Sequence, residues 1–258
     1  MKSLLAGSLA IVFLLASMPV FATGLRFRLC TEGQPFLPLI SMDPERPGDA
    51  QILLAMAAER LGVRIEHVQT TWQRCQQMLD RGEVDALNGA SFAAINRAIA
   101  EYPMRLGEAD PTRSLGEART YLLRRVGSPV ALRQGRFVDL KTPVGIIRAY
   151  QINSLSVSQF GGIPDHNSLT LESLARRLAA GELDLVAGNR ALLVLCATAH
   201  AGKLEVLPQP LDVAHYYLAF GKAFHARHRQ AIEALWTEIG RIKASPEYQA
   251  RINRASPG

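Results

Sequence analysis

Two phrases in this chain, "LDRGEVDALNGA" (Leu79 to Ala90) and "LAAGELDLVAGN" (Leu178 to Asn189), repeat one pattern at a constant offset of 178 − 79 = 99 residues. A leucine, a glycine, a glutamate, an aliphatic residue, an aspartate, two apolar residues and a second glycine recur in the same places. The leucine fits the inner face of a helix. The first glycine ends that helix with φ > 0, and the next six residues fit a strand buried in a sheet, with Asp85 and Asp184 inside it. The last residue of each phrase, Ala90 or Asn189, is expected beyond the strand's carboxyl end, which is where open α/β sheets bind ligands. Such a chain is expected to fold as two α/β halves facing one another across a cleft.

The surrounding periodicity supplies the rest of each unit. "LRFRLCTE" alternates as a strand, and "GDAQILLAMAAERLG" has helical spacing with Asp49 as N-cap and Gly62 as terminator. "VRIEHVQ" is a second strand, "TWQRCQQMLDRG" a helix and "EVDALNGA" a third strand. This β-α-β-α-β order with short connections requires a parallel sheet with helices on its faces. A helix or helix and turn in "SFAAINRAIAEYPMR" and the polar loop "LGEADPTRSLGEA" lead to a long strand, "RTYLLRR". Strand and helix start are then read in "KTPVGIIRAYQI", a helix in "SLTLESLARRLAAG", a strand in "ELDLVAGN" and a helix in "ALLVLCATAHAG". "KLEVLPQPLDVAHYYLAFGK" carries two strands, and the chain from His225 closes as helix, turn, helix.

At 258 residues, 48% hydrophobic and 20% charged, the chain buries a full core and fits one large or two modest domains. Residues 1–22 stand apart. Lys2 precedes the apolar run "LLAGSLAIVFLLASM", which ends in "PVFA", the pattern of a secretory signal cleaved after Ala22. The run is shorter than the roughly 20 residues that span a bilayer, and no Cys stands at the cleavage point to take a lipid. An exported, periplasmic protein beginning at Thr23 is expected. Loss of Lys2 lowers the formal charge from +6 to 28 − 23 = +5. The basic residues are scattered, and nucleic acid is excluded as a partner by that scatter and by export.

Three cysteines in an oxidising compartment permit one bridge and one remaining thiol. Cys196 in "ALLVLCATA" reads as a buried small apolar residue. No G-x-S-x-G, P-loop, H-E-x-x-H, C-x-x-C or dinucleotide-binding pattern is present, so no metal, cofactor or catalytic residue is assigned. His225 and His228 in "HARHR" read as a solvated basic face. Asp85 and Asp184 read as structural acceptors for backbone or neighbouring Arg groups, and Glu32, at the first strand's carboxyl end, as a polar cleft group.

The segments "LRFRLCTEGQPFLPL", "GDAQILLAMAAERLGVRIEHV", "TWQRCQQMLDRGEVDALNGA", "INRAIAEYPM", "PVGIIRAYQI", "LARRLAAGELDLVAGN" and "HYYLAFGKAF" resemble, in order, those of bacterial extracellular solute-binding proteins of family 3. These are polar-amino-acid-type periplasmic components of ABC transporters. The resemblance covers nearly the whole chain after Ala22. It implies a two-lobed type II periplasmic-binding fold in which each lobe is a mainly parallel sheet flanked by helices. Two hinge strands, at "RTYLLRR" and "AHYYLAF", join residues 23–116 and 221–258 as one lobe to 117–220 as the other.

Carried over by position, Phe36 matches the aromatic that covers the ligand, Trp72 a second aromatic, and Arg97 the arginine that holds its carboxylate. Arg suits that task because its planar fork makes two parallel charge-assisted bonds to a carboxylate. Ser91 and Phe92 compete for one binding role, because the turn before Arg97 is one residue longer than the pattern. The second lobe departs from it: Ala149-Tyr150 replaces Gly-Thr or Gly-Ser, Arg148 lies beside the cleft, and Asn189 stands where amino-acid binders carry an Asp. An amide offers no charge to an ammonium. These departures point from a standard zwitterionic amino acid toward a carboxylate, a small acid or a neutral polar solute. A subgroup of the family shares "W-x-R-C", which implies a Cys30–Cys75 disulfide at one sheet edge.

The function expected is capture of a small polar or anionic solute, amino-acid-like or an organic acid, by a monomer that delivers it to ABC permease subunits. The alternatives are an exported enzyme on the same scaffold, resembling cyclohexadienyl dehydratases with Glu32 as general acid, and a ligand-sensing accessory subunit.

Overall fold

A computed structural model of the chain describes residues 24–36, 38–147, 151–168 and 170–255. The expected signal segment and the site candidates Arg148 and Tyr150 lie outside these ranges. The first half opens with β1 (Arg26–Glu32), α1 (Asp49–Leu61), β2 (Arg64–Thr70), α2 (Trp72–Asp80), β3 (Ala86–Ser91) and α3 (Ala94–Ile99). Short β4 (Ala100–Glu101), then β5 (Met104–Arg105) and β6 (Glu108–Ala109), lead into the long β7 (Gly116–Arg125). The second half follows with β8 (Ala131–Arg133), β9 (Arg136–Val138), β10 (Val144–Ile147), α4 (Gln151–Gln159), β11 (Pro164–Ser168), α5 (Leu171–Ala179), β12 (Leu185–Gly188), α6 (Arg190–Ala199) and β13 (Leu204–Val206). The chain returns along β14 (Asp212–Gly221) and closes with α7 (Lys222–Lys243) and α8 (Pro246–Ala255).

The main sheet runs β11-β10-β12-β7-β14-β3-β1-β2. Each half contains a parallel trio whose first strand lies in the middle: β2-β1-β3 in one and β11-β10-β12 in the other. Each trio is bordered by an antiparallel crossing strand, β14 beside β3 and β7 beside β12. The two crossing strands pair with each other over Gly116–Thr120 and Asp212–Tyr216. Both faces of each trio are covered, as parallel strands require. In the first half Phe27, Leu29, Leu53, Phe220 and Trp236 form a core under α1 and α7, and Cys75, Leu79, Leu87 and Tyr217 form another under α2. In the second half Leu123, Leu174, Leu178 and Val186 pack on one face, and Leu122, Val144, Ile146 and Val157 on the other. The buried Trp236 indole donates to the Leu218 carbonyl at 2.7 Å, which fastens the closing helix to β14. No helix among the described residues is long and apolar enough to cross a membrane.

The repeated phrase has a common structural duty. Leu79 and Leu178 are buried, and Gly82 and Gly181 end their helices at φ 70° and 85°. The Asp85 carboxylate accepts from the Arg28 backbone N–H (2.8 Å) and from its guanidinium (3.0 and 3.1 Å), while the same guanidinium donates to the Gly82 carbonyl. In the second copy Asp184 accepts from the Lys141 and Thr142 backbone N–H groups (2.9 and 3.1 Å) and from Arg125, which also donates to the Leu178 and Leu183 carbonyls. Asp85 therefore ties β1 to the helix end before β3, and Asp184 ties the segment leading into β10, together with Arg125 of β7, to the helix end before β12. Burial by itself would raise both carboxyl pKa values; these hydrogen bonds and the arginine charge outweigh it and hold both below the ordinary value.

Several expectations are corrected. β3 and β12 begin only after Asp85 and Asp184, so both carboxylates precede their strands, where they can reach back to the neighbouring segment. Asp49 is the first helical residue of α1 and Gly48 the cap; a side chain at Gly48 would meet the Leu39 carbonyl at 2.4 Å, and the Gln51 side chain accepts from its N–H. Ala90 does not reach the cleft. Gly89 at φ 78° sits where the pairing with β14 shifts register, and Ala90 is buried inside β3 against the α2 core. His225 is not on a solvated face: its ring stacks on Trp236 at 5.5 Å, and the helix is kinked at His228. The hairpin of β8 and β9 and the polar edge strand β11 have no counterpart in the periodicity reading. The Cys30–Cys75 bridge is present, and Cys196 is buried and free.

Two outcomes follow from this framework. Replacing both bridged cysteines by alanine removes a crosslink of sequence separation 45 and is expected to lower stability by about 4 kcal/mol, read from denaturant unfolding. Asp184→Asn is expected to lower stability at pH 7 by about 2 kcal/mol. Because the native pKa of Asp184 is depressed, the gap between wild type and variant is full above the unfolded value of about 4. It closes as pH falls through the lower native value, a profile that unfolding curves at several pH values check.

Candidate functional site

The strand register sets how the two trios meet. β3 is antiparallel to β14, β14 to β7, and β7 to β12, so β3 and β12 run in opposite directions. Ser91, the last residue of β3, pairs with Tyr216, which pairs with Gly116 at the start of β7. Gly188, the last residue of β12, pairs with Tyr121. The two carboxyl ends therefore point at each other, separated along β7 by Gly116–Thr120, a run of about 17 Å at the rise of a strand. Among the described residues, only the β7–β14 ribbon continues the sheet across this gap. Residues just beyond the strand ends, where such sheets bind ligands, thus face a shared space from opposite sides.

On the first side the candidates form one connected wall. Glu32 ends β1, half-buried and without an ion pair among the described residues. Phe36 follows in a small backbone bridge to Ile40, and its ring meets Tyr216 edge to face at 4.9 Å. Trp72 opens α2, whose N-cap Thr71 accepts from the Arg74 N–H, and Trp72 and Phe92 are each half-buried against the α2 core. The turn from β3 to α3 is held by Asn96: its Nδ2 donates to the Ser91 carbonyl at 3.0 Å, and its Oδ1 accepts from Gln76 at 2.7 Å. The Tyr102 hydroxyl donates to the same carbonyl at 2.9 Å. Phe92 lies edge to face with Tyr102 at 5.2 Å, and the exposed Arg97 guanidinium stands 4.8 Å over the Phe92 ring. Arg97 has no ion pair among the described residues, so its hydrogen-bonding fork is available to an anion. The Ser91 carbonyl holds the turn, and the Phe92 ring lies under the Arg97 guanidinium.

On the second side Asn189 follows β12, and its carbonyl accepts the Leu193 N–H at 3.0 Å, which places it at the N-terminus of α6. The exposed Asn189 thus combines a helix-capping position, for which Asn is favoured, with the position opposite Ser91. Two aromatic residues on the crossing strands complete the geometry and were not among the expected site residues. Tyr121 carries the Arg190 guanidinium 5.8 Å from its ring centre. Tyr216, 3% exposed, joins Phe36 to Ser91, and its hydroxyl has no hydrogen-bond partner among the described residues; burial raises its pKa. The tyrosines of "RTYLLRR" and "AHYYLAF" were legible as strand residues, but only the register assigns them to the gap.

Comparison with known proteins fixes the fold. No protein-family model and no curated protein sequence matches the chain. Among solved structures, a mutant of ArgBP from T. maritima superposes with a TM-score of 0.57 at 18% identity, covering 89% of this chain and 94% of that one. The probable amino-acid ABC transporter extracellular-binding protein ytmK from Bacillus subtilis has a TM-score of 0.60 at 12% identity, covering 90% and 95%. A histidine kinase sensor domain with similarity to periplasmic binding proteins has a TM-score of 0.56 at 15% identity, covering 90% and 96%. The fold is the two-lobed, periplasmic-binding-protein-like α/β fold.

The wall around Arg97 depends on Asn96. Asn96→Ala is expected to lower stability by about 1–2 kcal/mol, because it leaves the Ser91 carbonyl and Gln76 each short of a partner. Amide hydrogen exchange of residues 91–97 should quicken by more than exchange in the α1 core.

Proposed function

We propose that the chain is an exported solute-binding protein that closes two lobes on a small polar or anionic molecule, amino-acid-like or an organic acid. The observation that carries this reading is the opposition of the β3 and β12 carboxyl ends, with Arg97 uncommitted at one of them. Arg97 holds the ligand's carboxylate, Ser91 adds a hydroxyl or backbone N–H, and Phe36, Trp72 and Phe92 supply the aromatic surround. Glu32 offers the first lobe's acceptor for a donor group on the ligand. Asn189, with Arg148 and Tyr150, reaches the ligand from the second lobe as the ribbon bends. Closure needs only that the ligand prefer the closed form.

The lobes of this reading comprise residues 23–116 with 221–258, and 117–220. Because Tyr216–Phe220 pair with β3, we draw the second crossing at Tyr216 rather than after Phe220. Export to the periplasm with cleavage after Ala22, a monomeric state and delivery to ABC permease subunits complete the proposal, in line with the extracellular-binding protein among its structural neighbours. The sensor-domain neighbour favours a second reading, in which closure signals to a partner protein and no transport follows. A third, non-binding reading is turnover of a cleft-bound acid by Glu32, which product detection with prephenate-like acids tests.

A thermal-shift screen of amino acids, organic acids, sugars and amines is expected to yield a carboxylate-bearing ligand, since binding to the folded form alone raises apparent stability. Arg97→Ala should then weaken that ligand by about 10- to 100-fold in calorimetric titration, the worth of a hydrogen-bonded charge. Unchanged affinity would remove Arg97 from the site.

A further inference from the structure

On the α1 face of the first trio lies a cavity of about 330 Å³, lined by none of the residues placed around the gap between the strand ends. Its floor is polar where a core is normally apolar. Phe27, Leu29 and Ala86 contribute to the core under α1; Thr31 and Asn88, each two residues further along its strand, point the same way. Asn88 is 3% exposed, and its Nδ2 donates to the Thr31 hydroxyl at 3.2 Å. Its Oδ1 has no hydrogen-bond partner among the described residues although it is buried, a state that costs free energy unless something in the cavity donates to it.

The space exists because the side chains above it are short. α1 covers the floor with Gln51, Leu54 and the methyl groups of Ala55 and Ala58, and β2, an edge strand, closes the side with Ile65 and His67. The volume falls at the small end of ligand sites and is about ten times the share of one liquid water. No Asp, Glu, Lys or Arg lines it, so a charged molecule would enter without a counter-ion. Apolar walls of Leu54, Ala55, Ala58 and Ile65, the polar Gln51 and His67 side chains, and one buried acceptor without a partner among the described residues define what fits.

We propose that this cavity is a second ligand site, independent of the gap between the lobes. It takes a small uncharged molecule with one N–H or O–H donor for Asn88 Oδ1 and a short apolar body against Leu54, Ala58 and Ile65. The proposal does not rest on the function assigned to the gap.

The test is a nuclear magnetic resonance titration of the whole chain after Ala22 with propionamide, and with propionate and propylammonium as charged counterparts. Propionamide should shift the Asn88 side-chain amide and the Thr31 and Ala58 backbone signals, saturating in the millimolar range that a fragment of so few atoms can reach. The charged counterparts should be at least tenfold weaker. Arg97→Ala should leave the response intact, which separates this site from the gap. Asn88→Leu should weaken propionamide at least tenfold; Ala58→Met, which fills the space from the half-exposed side of α1, gives the same reading should the first variant not fold. Absence of a saturable shift, which would mean water alone, overturns the proposal. So does an equal response to propionate, or a response that survives filling the cavity.

Discussion

The pairing of Gly116–Thr120 with Asp212–Tyr216 is the interaction on which the rest of this architecture depends. It joins two trios of strands into one sheet, and its antiparallel sense makes their carboxyl ends face each other. Had the two crossing strands paired in parallel, β3 and β12 would run the same way and their ends would lie on one side, leaving no shared space. The ribbon is also thin, two strands wide at its crossing. Hinge motion in proteins is absorbed by few residues, and here the chain offers these two short paired runs between two well-filled bodies.

The repeated phrase serves this arrangement from each side. Its leucine and first glycine end a helix, and its aspartate gathers backbone and arginine donors that tie that helix end to β1 in one copy and to the segment leading into β10 in the other. A depressed carboxyl pKa is the electrostatic trace of that duty in both copies. The copies part company after the second glycine. In the first, Gly89 permits a bulge and Ala90 stays in the core, so the strand runs on to Ser91. In the second, the strand stops at Gly188 and Asn189 turns into a helix. Equivalent letters thus end in inequivalent places, and the two sides of the gap present different chemistry.

Much of this was legible in the sequence because it rests on local periodicity and turn chemistry. Alternation identified β1 and β2, helical spacing identified α1, and the glycines at 62, 82 and 181 marked helix ends that the structure retains. The bridge of Cys30 and Cys75 and the two crossing strands came from resemblance. What stayed hidden depends on pairing. β11 is a polar segment, "PDHNS", that becomes a strand only because the edge of β10 recruits it. Gly48 caps α1 because Leu39 leaves no room for a side chain, a fact of tertiary approach. Tyr216 and Tyr121 belong to the candidate site through register alone, and the polar floor formed by Thr31 and Asn88 needs two strands side by side to be seen.

A sheet whose halves meet through a two-stranded ribbon, with an arginine at one strand end that makes no ion pair among the described residues, has the geometry that the proposed closure on a bound anion requires. Small-angle scattering of the whole chain after Ala22, with and without a ligand found by its stabilising effect, measures that change. A smaller radius of gyration is expected at saturation, as the two lobes turn about the β7–β14 ribbon. A saturating ligand that leaves the scattering curve unchanged would contradict closure.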